Sequence, residues 1–76
     1  LGKDMALKAF GKDGPLRDRA APPGEEDGLQ LLMAGALASY KNATSHRHVK
    51  LSASEALEMI ILASHLLNIV DDRPRP

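Results

Sequence analysis

The sequence predicts an all-α protein: a helical hairpin preceded by a short N-terminal helix, joined to it by an irregular connector. Three observations predict it. Two stretches, 25–41 and 52–70, carry apolar residues at helical spacing. The second opens with a capping box, Ser52 followed by Glu55. Glycine and proline gather in one place, between the first helix and the second.

Taken in order, Met5-Ala6-Leu7-Lys8-Ala9-Phe10 reads as the end of a helix, stopped by Gly11 in the usual C-terminal position. Residues 11–24 form the connector, with Gly14-Pro15 and then Ala20-Ala21-Pro22-Pro23-Gly24 marking turns. The second helix, 25–41, places Leu29, Leu32, Met33, Ala36, Leu37 and Tyr40 on one face. Its other side holds Leu31, Ala34, Gly35, Ala38 and Ser39, mostly small residues that let another helix come close. Glu25, Glu26 and Asp27 suit the positive end of its dipole. The third helix ends before Arg73-Pro74-Arg75-Pro76, since proline bars the α conformation to the residue before it. Its polar residues keep to a narrow stripe, Glu58, His65 and Asp72, with Asn68 alongside. A helix apolar nearly all round is expected to be central and buried.

Composition narrows the class. The chain has 76 residues, ten basic and ten acidic side chains, and no cysteine. That length supports one small domain, 1–76, and the lack of cysteine excludes a disulfide scaffold and any Cys-type metal site. No apolar run reaches the ~20 residues a bilayer span needs, and no signal peptide opens the chain, so a cytoplasmic protein without a membrane partner is expected. Leu1 is not a natural start, and the helices carry more apolar surface than one short chain can bury. The expectation is a C-terminal piece of a longer protein that also self-associates as a homodimer.

Chemistry concentrates between the two long helices, in Tyr40-Lys41-Asn42-Ala43-Thr44-Ser45-His46-Arg47-His48-Val49-Lys50. Read as a loop, it holds three cations, Lys41, Arg47 and Lys50, and no acid. Cations together with short hydroxyl and amide groups make a seat for phosphate, and a histidine near neutrality can move a proton. The plain alternative is an ordinary solvated loop. His46, His48 and His65 lack the helical pairing of a zinc site, so neither a metal nor a cofactor is expected. Gly11-Lys12-Asp13-Gly14 lacks the Gly-Lys-Ser/Thr ending of a phosphate loop, and Met33 and Met59 read as core fillers.

Tyr40-Lys41-Asn42-Ala43-Thr44-Ser45-His46, followed by a helix opening Glu55-Ala56-Leu57-Glu58, resembles the C-terminal region of the Ymh-type hypothetical proteins, related to the HEPN helical-bundle superfamily. The helix ending Ala9-Phe10 and the Gly14-Pro15-Leu16 connector extend the resemblance over most of the chain. It implies a HEPN-like bundle, and many HEPN proteins are metal-independent endoribonucleases of toxin or phage-defence systems with a site assembled across a dimer. On that basis His46 is the general acid or base, Lys41 stabilises phosphate charge and Asn42 orients the segment. Arg47, His48 and Lys50 are phosphate or RNA contacts, and an antitoxin is a further partner. Two residues depart from the family pattern. Lys41 stands where Arg is usual and offers a point charge in place of a two-pronged grip. Ala43 stands where Pro is common. The competing expectation is a non-catalytic dimerisation or nucleotide/RNA-binding module.

Overall fold

A computed structural model describes residues 2–46 and 52–74, and the side chains of 2–40 and 52–74. Among them are three helices and no strand: α1 (Gly2–Ala9), α2 (Pro23–His46) and α3 (Ala53–Asp72). The all-helical class and the order of elements follow the sequence.

The capping box at α3 forms. The Ser52 hydroxyl accepts from the Glu55 amide at 3.1 Å, and the Glu55 carboxylate accepts from the Ser52 amide at 3.3 Å. Two orphan amides are satisfied reciprocally, which fixes where the helix starts. Helix α2 is longer at both ends than 25–41. It begins at Pro23, because a proline in the first helical position gives up only an amide that has no partner there anyway. The Pro22 carbonyl accepts from the amides of Glu25 and Glu26 as the first turn closes. Its far end runs on to His46, because neither glycine nor proline interrupts 41–46.

Helices α1 and α3 both run antiparallel to α2. Gly2 lies against Leu37, while Gln30 Nε2 donates to the Leu7 carbonyl at 2.7 Å. At the other side of α2, Arg73 meets Glu26 and an apolar groove joins Tyr40 to Ala63. The core is small: Ala6 and Phe10 from α1 and its end, Met33 and Ala34 from α2, and Leu66 from α3. Leu62, Ile69 and Val70 pack against it and seat α3.

The expectation of a central, buried third helix does not hold within this chain. Only Leu66 of α3 is buried, and Leu57, Ile60, Ile61 and Leu67 stay 57–63% exposed. The inner face, with Leu62, Leu66, Ile69 and Val70, is spent on the core, and among the described residues nothing covers the outer one. Nor does the expectation of no membrane-length helix hold. Helix α3 has 20 residues and is apolar enough to cross a membrane by length and composition. The core helix of a bundle meets the same test, and α3 is seated on its neighbours through one face.

The connector has no regular structure but is tightly tied. Leu16 donates its amide to Ala9 at 2.9 Å, and Gly14 to Gly11 at 2.9 Å. Arg19 donates to the carbonyls of Lys12, Gly14 and Arg17, threading the turns together. Glycine at 14 is a matter of space, since its φ is not positive: a Cβ there would overlap the carbonyl oxygens of Lys8 and Ala9. Gly11 likewise ends α1 without a left-handed conformation, lying close to the Leu7 carbonyl. Gly14→Ala is therefore expected to cost about 1–3 kcal/mol through overpacking. Gly24→Ala, in the first turn of α2 with nothing within 4 Å of the new methyl, should be neutral or stabilising. Thermal denaturation of the two variants side by side checks this contrast.

Candidate functional site

The basic segment begins inside α2. Lys41, Asn42 and His46 sit in its last turn and a half, on helix and not on the loop read from the sequence. At 100° per residue, Asn42 and His46 stand one turn apart, whereas Lys41 is displaced from His46 by about 140° around the axis. Arg47, His48 and Lys50 lie outside the described residues. Upstream, the stripe of α2 that leads to positions 42 and 46 passes Gly28, Gly35 and Ser39. It is open: a Cβ at Gly28 or Gly35 would meet nothing within 4 Å.

The helical setting changes the electrostatics. The C-terminal end of a helix carries about half a negative charge on its unpaired carbonyls. The cation at 41 complements that charge, and an anion has to overcome it. Within 41–46 a phosphate therefore finds none of the amide donors that a helix N-terminus offers.

The best-organised polar cluster lies at the opposite end of the molecule. Glu26, only 4% exposed, accepts from the Asp18 amide at 2.7 Å. Arg73 closes on the same carboxylate with both prongs, Nη1 to Oε1 at 3.0 Å and Nη2 to Oε2 at 3.3 Å. Its guanidinium also stands 6.0 Å from the centre of the Phe10 ring. Beside it Arg17, with a side chain 7% exposed, pairs with Asp27 at 3.0 Å and donates to the carbonyls of Phe10 and Pro23. A cavity of about 540 Å³ opens here between the connector and the end of α3, lined by Arg17, Asp18, Arg19, Ile69, Asp72 and Arg73. Each of its three guanidiniums is already engaged by carboxylates or carbonyls. The cluster is a clamp that joins the end of α3 to the start of α2 and the connector.

Sequence reasoning assigned Glu25, Glu26 and Asp27 together to the helix dipole. Glu26 and Asp27 instead take arginine partners, Glu26 from 47 residues away. The available signal was Arg73, a cation directly after an apolar helix that ends in two acids. No group of three or more His, Cys, Asp or Glu side chains suited to a metal occurs among the described residues. His65, the one histidine whose side chain is described, is exposed on α3.

A second polarity-free feature lies between α2 and α3. Met33, Ala36, Leu37 and Tyr40 face Ala63, Leu66, Leu67 and Val70 across a groove of about 280 Å³. It is continuous through Ala63 and Leu67 with the uncovered side of α3.

Among known families, one described as "Protein of unknown function (Hypoth_ymh)" matches residues 2–70. Neither the curated proteins nor the solved structures give a match.

Proposed function

The chain belongs to the Hypoth_ymh family, and from that premise we propose that it is a HEPN-like, self-associating helical module whose segment 41–50 engages RNA or nucleotide phosphate. One observation carries the reading: the outer side of α3, with Leu57, Ile60, Ile61 and Leu67, is uncovered in the single chain. Apolar patches of that kind on a small domain mark interaction surfaces. The basic segment adds charge without acid, and its place at a helix C-terminus favours loose electrostatic contact over a preorganised anion cradle.

A second reading rests on the resemblance of Tyr40–His46 to the family pattern, with Asn42 and His46 one turn apart on the last turns of α2 and Lys41 about 140° around the axis from His46. It is a metal-independent endoribonuclease of a toxin or defence system. His46 there transfers the proton of the attacking 2′-hydroxyl or of the leaving oxygen, Lys41 neutralises the phosphate and Asn42 orients the pair.

Sedimentation and an RNA-cleavage assay in excess chelator separate the two. The first reading expects a dimer that persists in His46→Ala, with RNA bound but intact. Cleavage that His46→Ala reduces by at least a hundredfold establishes the second. A wild-type chain that stays monomeric at high concentration overturns the first.

A further inference from the structure

Helix α3 is a two-sided element with one side already used. Leu62, Leu66, Ile69 and Val70 lie along the side that meets α1 and α2. Rotated by half a turn are Ala53, Leu57, Ile60, Ile61, Ser64 and Leu67, where the four large aliphatics are 57%, 61%, 60% and 63% exposed. No charged residue interrupts this stripe before Asp71. Glu58, His65 and Asp72, all exposed, run along one edge of it as a polar rim.

We infer that this stripe is covered by the same stripe of a second copy, the two α3 helices packing antiparallel about a two-fold axis near the level of Leu62. The inference rests on the self-association reading above and adds its surface and direction.

Two features of α3 select this occupant. The first is area. Four aliphatics at this exposure, with Ala53, Ala63, Ser64 and Asn68 between them, offer roughly 600 Å² per copy, which doubled reaches the lower edge of the ~1,200–2,000 Å² of specific interfaces. The stripe spans the helix from 53 to 71, and a second identical stripe matches its length. Reversed about Leu62, it sets Leu57 at the level of the other copy's Leu67, and Ile60 at the level of Ser64. Large residues then face large ones at the ends, and an isoleucine faces a small serine near the axis.

The second feature is charge. The last turn of α3 carries Asp71 and Asp72 and no basic residue, so two carboxylates sit at the negative end of the helix dipole. The first turn, from Ser52 to Glu55, has no cation either and carries one carboxylate, Glu55, which caps the Ser52 amide, but it is the positive end of the same dipole and less acidic than the last turn. Antiparallel packing brings the carboxylates of each copy to the positive end of the other. Parallel packing would place like ends together.

The arrangement has a consequence for the basic segments. The ends of α2, with Lys41 and His46, lie toward the starts of the two α3 helices, at opposite ends of the pair, on the order of 30 Å apart at 1.5 Å of rise per residue. Each copy therefore uses its own segment 41–50, and no Lys41/His46 site is shared across this interface.

The chain contains no cysteine, so single ones can be introduced as reporters. About Leu62, the two copies of position 64 lie about 6 Å apart along the axis and those of position 54 about 24 Å apart. A short thiol-to-thiol cross-linker on the full chain should join Ser64→Cys protomers and leave Ser54→Cys protomers unjoined. Ile60→Glu, at a position pointing away from the core, should keep its helical circular dichroism and weaken dimerisation at least tenfold. Equal cross-linking at 54 and 64 overturns the antiparallel pairing. A dimer that Ile60→Glu leaves intact overturns the surface, and in both cases self-association itself stands. A monomeric wild type overturns the inference and the reading beneath it together. Flotation of wild type with neutral phosphatidylcholine vesicles, lost in Ile60→Glu, would assign the stripe to lipid and overturn the pairing.

Discussion

Replacing Glu26 by Ala is expected to destabilise the folded chain by about 3 kcal/mol, near the low end of what breaking a buried ion pair costs because Arg73 keeps some access to water. Three groups lose their partner at once. The Asp18 amide loses its acceptor at 2.7 Å, and the two prongs of Arg73 lose theirs at 3.0 and 3.3 Å. Among the described residues Arg73 keeps Asp18, at 3.8 Å, and the face of Phe10. For a domain of this size the loss corresponds to a fall in melting temperature of roughly 12–24 °C. Glu26→Gln keeps the volume and one acceptor, so its effect should be smaller. A double-mutant cycle with Arg73→Met isolates the fork itself, and a coupling energy below about 0.5 kcal/mol would show that Glu26 acts only through the Asp18 amide. The change is also directional. Because the clamp joins the end of α3 to the start of α2, hydrogen exchange should rise first in 62–73 while the α1–α2 contact at Gln30 and Leu7 keeps its protection.

The parts of this fold that sequence could show are those set by neighbours along the chain. The Ser52–Glu55 capping box, the end of α3 before Pro74 and the helical spacing of Leu29, Met33 and Ala36 are all local, and all stand in the structure. The clamp was hidden because its partners are 47 residues apart and each has an ordinary local explanation. Glu26 fits a helix start, and Arg73 fits a chain end. The end of α2 was misplaced for another reason. A run of polar residues after Tyr40 looks like a loop, but polarity does not end a helix. Only a breaker or a better partner for the carbonyls does, and 41–46 holds neither glycine nor proline. That shift bears on the candidate site directly, since it puts Lys41, Asn42 and His46 on the last turns of a helix, while Arg47, His48 and Lys50 lie outside the described residues. The burial of α3 was misjudged by treating apolar surface as buried surface. Pattern shows which faces seek cover, and the number of other elements decides how many find it.

Phe10→Ala is expected to have the other large effect, about 3–5 kcal/mol, enough to unfold most of the population of so small a domain. Phe10 is the chain's one phenylalanine, 3% exposed, and the largest of the five side chains that form the buried core. It sits where α1 ends and touches every layer. Its carbonyl accepts from Arg17, its amide donates to Ala6 at 3.1 Å, and its ring lies under the Arg73 guanidinium. The remaining core residues are Ala6, Met33, Ala34 and Leu66, two of them alanines that cannot spread into a void. Met33 can move but not fill the volume of a ring, so most of the cavity stays open. Phe10→Leu, which keeps the greater part of the volume, should recover at least half of the loss. The consequence reaches the outer face of α3. Leu62, Leu66 and Ile69 hold that helix in place only while the core beneath them is full, so Phe10→Ala should weaken dimerisation although it touches no residue of the outer stripe. Denaturant unfolding at two protein concentrations measures both effects. If the midpoint falls equally at the two concentrations, the loss is confined to the protomer. If it falls further at the lower one, seating of α3 and pairing of the copies are coupled, as the two-sided use of that helix requires.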